Sequence, residues 1–323
     1  MNFLFGPVNS RRLGRSLGID LFREKICNLN CVYCEVGPTT ALVNRRGLYA
    51  PTREILAEIT TFCAAPDRLA AVDVLTVTAK GEPTLHLEFN TILRHIKRCT
   101  DKPVAVLTNG TTLMDDEVRQ ALQLADIVVP SLDAARADSF RRVDRPAPGL
   151  DLEAVIAGLH RFSHEYHGRL WLEILLVRDL NDSDADIHAL LPVLATLRLD
   201  RLQLNTVVRP PADPGARPVP EARLAEIART FRGALAVPVD LPSPGAGSTD
   251  RARATTASAA ADASPASLRQ AIIQMVRRRP CTAADIDRVF QLGGAEKVEQ
   301  LLRSLVTSGT LRIVSHAEDR FYH

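Results

Sequence analysis

The chain has 323 residues, with 40 Lys and Arg against 38 Asp and Glu, a formal net charge of +2 and 46% hydrophobic residues. At roughly 100–200 residues per domain, this length predicts about two domains. The composition excludes disorder throughout, and the near-neutral balance excludes a global field that selects nucleic acid or an anionic membrane. Charge is uneven, however. Residues 1–53 carry eight Lys/Arg (Arg11, Arg12, Arg15, Arg23, Lys25, Arg45, Arg46, Arg53) against three acids (Asp20, Glu24, Glu35). Such a segment suits an anionic ligand or a solvated face equally. No run approaches the roughly 20 apolar residues of a membrane span. The longest apolar stretch, Leu170 to Val177, contains Glu173 and is strand-sized. The N-terminus lacks a basic segment ahead of its apolar residues and breaks at Gly6-Pro7, so it does not read as a signal peptide. A cytoplasmic protein with no membrane partner is expected.

Strand-like runs alternate with helix-like runs along the first 240 residues. The expected strands are Ser16–Phe22, Val72–Thr78, Val104–Thr108, Ile127–Leu132, Leu170–Val177 and Leu202–Val207, rich in Val, Ile and Leu as buried parallel strands are. The expected helices are Thr52–Ala64, Phe89–Cys99, Asp115–Leu124, Asp151–Glu165, Ser183–Leu197 and Glu221–Leu235, with Pro192 expected to kink or break the fifth. Strands each followed by a helix imply a parallel sheet with right-handed crossovers. Six units are too few for a complete eight-stranded barrel, which leaves a partial barrel or a doubly wound sheet. Either places ligands at the C-terminal ends of the strands.

From 241 to 266 the chain is rich in Ala, Ser, Pro, Gly and Thr and reads as a flexible linker. Residues 267–323 then show three helical segments, Ser267–Arg279, Thr282–Phe290 and Ala295–Ser308, with Gly309 as a C-cap. Two short strands, Thr310–Val314 and Arg320–His323, complete a small winged-helix domain. Its last helix balances Glu296 and Glu299 with Lys297 and Arg303. This argues against DNA reading, because phosphate contacts need net positive charge.

The six cysteines are distributed unequally. Cys63, Cys99 and Cys281 are isolated, whereas Cys27, Cys31 and Cys34 share one loop just after the first strand with the spacing C-x3-C-x2-C. A disulfide framework is not expected in a cytosolic chain. A structural zinc site needs a fourth Cys or His at matching spacing, and the first histidine is His86. Three local thiolates can instead hold a cubane iron–sulfur cluster, which usually takes four cysteines. The fourth iron is then open to an exogenous ligand.

These residues resemble the radical S-adenosylmethionine (SAM) enzymes over residues 1 to about 240. The resemblance implies a partial (βα)6 TIM-like barrel with parallel strands, followed here by the small C-terminal winged-helix domain. It implies a [4Fe–4S] cluster on Cys27, Cys31 and Cys34, with SAM chelating the unique iron. An electron from the cluster cleaves the sulfonium and releases a 5′-deoxyadenosyl radical. Tyr33, directly before the third cysteine, is similar to the aromatic position near the adenine. Lys80-Gly81-Glu82-Pro83 resembles the Gly-Gly-Glu-Pro element that holds the SAM amino group, with Lys80 replacing the first glycine. Thr108-Asn109 and Ser131-Leu132-Asp133 end the third and fourth strands, where the family contacts SAM carboxylate or ribose. Glu173 in the fifth strand faces SAM, a substrate or a structural ion pair. Gln203 and Asn205 share one face of the sixth and suit adenine or substrate. Arg209 follows as a cation at the rim.

The opening, from Phe5 to Gly18, is similar to a branch of radical SAM proteins that includes wyosine-type tRNA base-forming enzymes. This implies an RNA base as substrate, and RNA or a protein partner at the winged helix. An electron donor such as flavodoxin or ferredoxin is a further implied partner. The bland reading of Arg11 and Arg12 is surface pairing; the functional one is phosphate contact. Two rival readings use the same residues. One keeps the chemistry on a peptide or small metabolite; the other is a non-enzymatic iron–sulfur DNA-binding sensor, which has no need of the SAM-site residues. His160, His164 and His167 align on one helical face and read as an exposed helix end rather than a metal site.

Overall fold

A computed structural model describes residues 2–10, 12–242, 265–316 and 319–323. Eight strands form one open sheet in chain order: β1 (Leu4–Ser10), β2 (Gly14–Asp20), β3 (Val74–Thr78), β4 (Val104–Thr108), β5 (Ile127–Pro130), β6 (Arg169–Leu176), β7 (Arg201–Thr206) and β8 (Val239–Asp240). Neighbours from β2 to β8 pair in parallel, and β1 runs antiparallel to β2. The six expected strands are β2 to β7, and they make a partial TIM-like barrel with two open edges.

Strand alternation explains the two-sided burial. Val74, Ala105, Ile127, Val129 and Trp171 form a small inner cluster. Leu75, Val77, Val104, Val106, Val128, Leu172 and Ile174 point the other way, into the larger core shared with the helices. Those helices are α1 (Thr52–Cys63), α2 (Phe89–Cys99), α3 (Asp116–Leu122), α4 (Ala137–Val143), α5 (Leu152–Glu165), α6 (Asp184–Ala195) and α7 (Glu221–Ala234). Apolar residues at helical spacing supply their buried faces, such as Ile55, Ile59 and Phe62 in α1 and Val155, Leu159 and Phe162 in α5. Asp115, Asp151 and Ser183 each accept a backbone N–H and start α3, α5 and α6.

Several features depart from expectation. Strand β1 was not expected, because Gly6-Pro7 interrupts its pattern. The register shifts between Phe5 and Val8, and an edge strand tolerates a residue without an N–H. Helix α6 runs through Pro192 to Ala195 without ending there. The short helix α4 lies between β5 and α5, in a stretch with too few residues to show a period. The expected linker at 241–266 falls almost wholly outside the described residues, as does Arg11.

The C-terminal region has helices α8 (Pro265–Arg278), α9 (Ala283–Phe290) and α10 (Ala295–Thr307). Strands β9 (Cys281–Thr282), β10 (Ile313–His316) and β11 (Asp319–Tyr322) form an antiparallel sheet in the order β9-β11-β10. The two-residue β9 is too short to announce itself in sequence. Ile272, Val276, Cys281, Ile286, Val298, Leu302 and Tyr322 bury one another in a separate core. Thr282 and Asp285 close a capping box at the start of α9. Among the described residues, no helix is long and apolar enough to cross a membrane.

Close packing behind the sheet ends depends on Gly158 in α5. A Cβ there would lie 2.7 Å from the backbone nitrogen of Met114. Gly158→Val should destabilise the chain by about 1–3 kcal/mol through overpacking. Urea unfolding measures this; an unchanged midpoint would contradict the packing.

Candidate functional site

The cysteine loop leaves β2 at Asp20 and is held on both flanks. On one side, Glu82 donates its N–H to the carbonyl of Ile26 at 3.0 Å. Gly81 lies so close that a Cβ would overlap the Ile26 carbonyl. This is the bare-backbone position of the Lys80-Gly81-Glu82-Pro83 turn. Lys80 stands where the expected pattern has its first glycine. Its N–H donates to Asp20 Oδ1 at 3.0 Å and its ammonium turns away to the carbonyl of Arg23. On the other side the loop lies along the segment that follows α4. Asn30 donates to the carbonyl of Asp144, Val32 to that of Val143, and Ala147 to that of Asn28, each at 2.9 Å.

Within this cradle Cys27 is buried, and Cys31 and Cys34 are half-buried; all three are free thiols. Burial pushes the Cys27 thiol up to about 12 and Cys31 well up, with the neighbouring cysteines adding to both. Buried thiols close enough to raise one another need a nearby cation to ionise. Three thiols on one loop match the donor chemistry of an iron–sulfur cluster. Among the described residues, no three His, Cys, Asp or Glu side chains converge on a single ion. A cluster does not need convergence, because each thiolate takes a different iron. The loop also offers hydrogen bonds to sulfur: the Leu29 N–H donates to Cys27 Sγ at 3.4 Å and Asn109 Nδ2 lies 3.6 Å from it. The residues present fit the group.

The strand-end residues expected near SAM fall into two sets. Glu82, Pro83, Thr108 and Asn109 come together. Glu82 is buried and accepts from Thr84 N at 3.0 Å, Thr108 Oγ1 at 2.7 Å and Asn109 N at 2.6 Å. Burial raises its pKa, and these bonds pull it back. Among the described residues no ion pair neutralises it. An ammonium ligand is the chemistry such a carboxylate lacks. Pro83 opens the one-turn helix Pro83–Leu85 that sets this geometry. Asn109 Nδ2 also donates to Asn28 Oδ1 at 2.8 Å, so the third strand end is tied to the cysteine loop.

Tyr33, Ser131 and Asp133 make the second set. The Tyr33 hydroxyl donates to Asp133, and Asp133 Oδ1 accepts the Leu175 N–H at 2.7 Å. Burial pushes Asp133 up to about 6. Ser131 is half-buried and donates its N–H to the Thr108 carbonyl at 3.1 Å. Glu173 and Asn205 face the barrel interior and already have partners. Arg12 Nη1 donates to Glu173 Oε2 at 2.8 Å and Nη2 to Asn205 Oδ1 at 3.0 Å, while Asn205 Nδ2 donates to Glu173 at 2.7 Å. Gln203 accepts from Arg12 as well. So Arg12 pairs with an acid, Glu173 on β6, while its own side chain stays exposed. Arg209 is not a free cation at the rim either; it is engaged by the C-terminal region. His160 and His164 lie side by side on the exposed face of α5 with their rings tilted at 48°, and His164 Nε2 lies 3.0 Å from the Thr196 carbonyl.

Sequence reasoning missed Asp144 and Asn28. Asp144 is buried beside Cys31, with Cys31 Sγ 3.5 Å from its Oδ1, and the charge of Asp133 helps burial to raise its pKa. Nothing in the run Phe140 to Pro146 announces a carboxyl facing a cysteine loop. Asn28, inside the motif, donates to Thr111 Oγ1 at 2.6 Å.

Two outcomes follow from this geometry. Gly81→Ala should drive the turn off Ile26 and reduce iron bound after anaerobic reconstitution to background; full iron content would contradict the packing. Burial pushes Asp133 up to about 6 and Asp144 well above the usual carboxylate range, so protonated carboxyls favour the fold at low pH, and that contribution is lost as pH rises above the ordinary carboxylate value. The thermal midpoint of metal-free Asp144→Asn should therefore gain on the metal-free parent as the pH rises above about 4. A constant difference would contradict the shift.

The radical SAM superfamily profile matches residues 25–191, about half of the chain. A UPF0026 protein of Synechocystis sp. is 35% identical over 73% of this chain and 94% of its own length. A Brachyspira hyodysenteriae protein named GTPase Obg is 32% identical over 96% of this chain, which spans 43% of that protein's length. A GTP 3′,8-cyclase of Pasteurella multocida is 27% identical over 49% of this chain and 44% of its own. Among solved structures, a radical SAM methyltransferase from Sphaerobacter thermophilus shares the fold with a TM-score of 0.52 at 17% identity, over 70% of this chain and 66% of that one. The matched segment begins just before the cysteine loop and takes in the strand ends that surround it; this chain belongs to the radical SAM superfamily, enzymes whose radical chemistry uses SAM and an iron–sulfur cluster.

Proposed function

We propose that the protein binds a [4Fe–4S] cluster through Cys27, Cys31 and Cys34 and uses SAM to abstract hydrogen from a nucleobase of RNA. The observation that carries the cluster reading is the cradle: three free thiols on one loop, clamped by Gly81 and Glu82 on one flank and by residues 143–147 on the other. When bound, the cluster supplies the electron that cleaves SAM to a 5′-deoxyadenosyl radical.

The chain's own residues supply positioning. Thr84, Thr108 and Asn109 fix the Glu82 carboxylate as the acceptor for an ammonium. Asn109 and Asn28 hold the loop at Cys27. Arg12, Glu173, Gln203 and Asn205 line the barrel wall with paired donors and acceptors, chemistry suited to a polar planar substrate. The nucleobase reading is supported by the relative named for GTP, a purine nucleotide. The RNA reading rests on the resemblance of residues 5–18 and on the C-terminal helices and sheet read as a winged helix that docks RNA or protein. A flavodoxin- or ferredoxin-type protein supplies the electron in the cytoplasm.

The test is anaerobic. The reduced enzyme is incubated with SAM and bulk RNA, and separately with the same RNA digested to nucleosides. RNA-stimulated deoxyadenosine formation with a mass change in one nucleoside is the expected result. Stimulation by a peptide or small-metabolite pool, with RNA inert, would overturn the substrate reading.

A further inference from the structure

The C-terminal region is linked to both ends of the cysteine loop through two arginines. Arg209, just past β7, is largely buried. Its Nη1 donates to the Pro280 carbonyl at 2.6 Å and to Asp285 Oδ2 at 2.9 Å, and its Nε lies 3.5 Å from Glu35 Oε2. Its guanidinium also sits over the Phe321 ring. Glu35 immediately follows Cys34. Asp285 is the residue whose carboxylate closes the capping box of α9. One side chain therefore joins the cysteine loop to the first turn of a C-terminal helix.

Arg278, at the end of α8, makes the second link. Its Nε lies 3.6 Å from Asp20 Oδ2, its Nη2 donates to the Asn2 carbonyl at 3.3 Å, and it stacks on Phe5. Asp20 also receives the Lys80 N–H, so this link reaches the Gly81–Glu82 turn. Helices α8 and α9 pack against β1, while His316 Nε2 lies 3.3 Å from the Val207 carbonyl beyond β7. The C-terminal region thus touches both sides of the opening in the sheet.

We propose that Arg209 is a positioning residue for the cluster loop, and that it couples docking of the C-terminal region to retention of the cluster. The proposal rests on the reading that Cys27, Cys31 and Cys34 hold that cluster. The physical basis is geometric: the buried guanidinium is fixed in place by Glu35 on one side and by Asp285 and the Pro280 carbonyl on the other, so losing either anchor frees the side chain to move and loosens the other contact. A shift of Glu35 with the loop then weakens the grip on Asp285, and undocking at Asp285 frees Glu35. Such coupling is reciprocal: what docking does for cluster affinity, the cluster does for docking.

The test uses the full chain, reconstituted anaerobically. Iron per chain and the half-life of cluster absorbance under a chelator report retention. Hydrogen exchange of residues 281–290 reports docking. Asp285→Asn leaves the loop chemistry untouched, yet it should shed iron at least about fivefold faster than the parent, as should Arg209→Ala. Arg209→Lys, which keeps the charge but loses the fork, should fall between. Iron loading should slow exchange at 281–290 in the parent and not in Glu35→Gln. If Asp285→Asn exchanges faster at 281–290 but keeps its iron as long as the parent, docking and retention are independent and the proposal is wrong. Cys34→Ala separates the two layers. If it holds the parent's full iron, or the parent holds none, the cluster reading itself fails and takes the proposal with it.

Discussion

Of the three thiols on one loop, Cys27 and Cys31 resist ionisation, because burial desolvates their thiolates and neighbouring cysteines add repulsion. They become thiolates when a multiply charged cation takes their protons' place, and the surrounding fold keeps them waiting for it. The strand ends are bonded to the loop rather than merely near it. The Ile26 carbonyl meets Gly81 and Glu82, Cys27 meets Asn109, and Asn28 meets Asn109 and Thr111. Preorganisation of this kind is what a metal site requires of its supporting shell.

The same loop is the meeting point of three separate parts of the chain. The exit of β3 supports it from one side and the segment after α4 from the other. The C-terminal region reaches it through Arg209 and Glu35. Each contact is modest by itself, since a single hydrogen bond contributes about 1 kcal/mol net. Their joint effect is geometric: the cysteine loop cannot move without disturbing β3, α4 and α9 together. The buried Asp133–Asp144 pair opposes this order. It places two carboxyls beside Cys31 at a cost that protonation relieves, and a cation in the cradle would relieve it too.

Much of this was legible in the sequence, for identifiable reasons. The six parallel strands are long apolar runs at regular intervals, and C-x3-C-x2-C is a spacing with few competing readings. Glu82, Thr108, Asn109 and Asp133 were legible by their place after predicted strands. What escaped had no local signal. Strand β1 is interrupted by Gly6-Pro7, and α4 is too short for periodicity. Asp144 and Arg209 act through partners 113 and 76 residues away. Lys80 replaces the first glycine of the expected element, but its ammonium turns away to the Arg23 carbonyl and the close approach falls one residue later, at Gly81. Arg12 pairs with an acid as its bland reading has it, but the partner, Glu173, lies 161 residues away and no local signal names it.

The central claim is that Cys27, Cys31 and Cys34 hold a site-differentiated cluster to which SAM has access. Electron paramagnetic resonance of the reconstituted, reduced protein tests it most directly, recorded with and without SAM. The account predicts a reduced-cluster signal whose g-values shift when SAM is added. A cluster signal indifferent to SAM, or bound zinc with no signal at all, would contradict it.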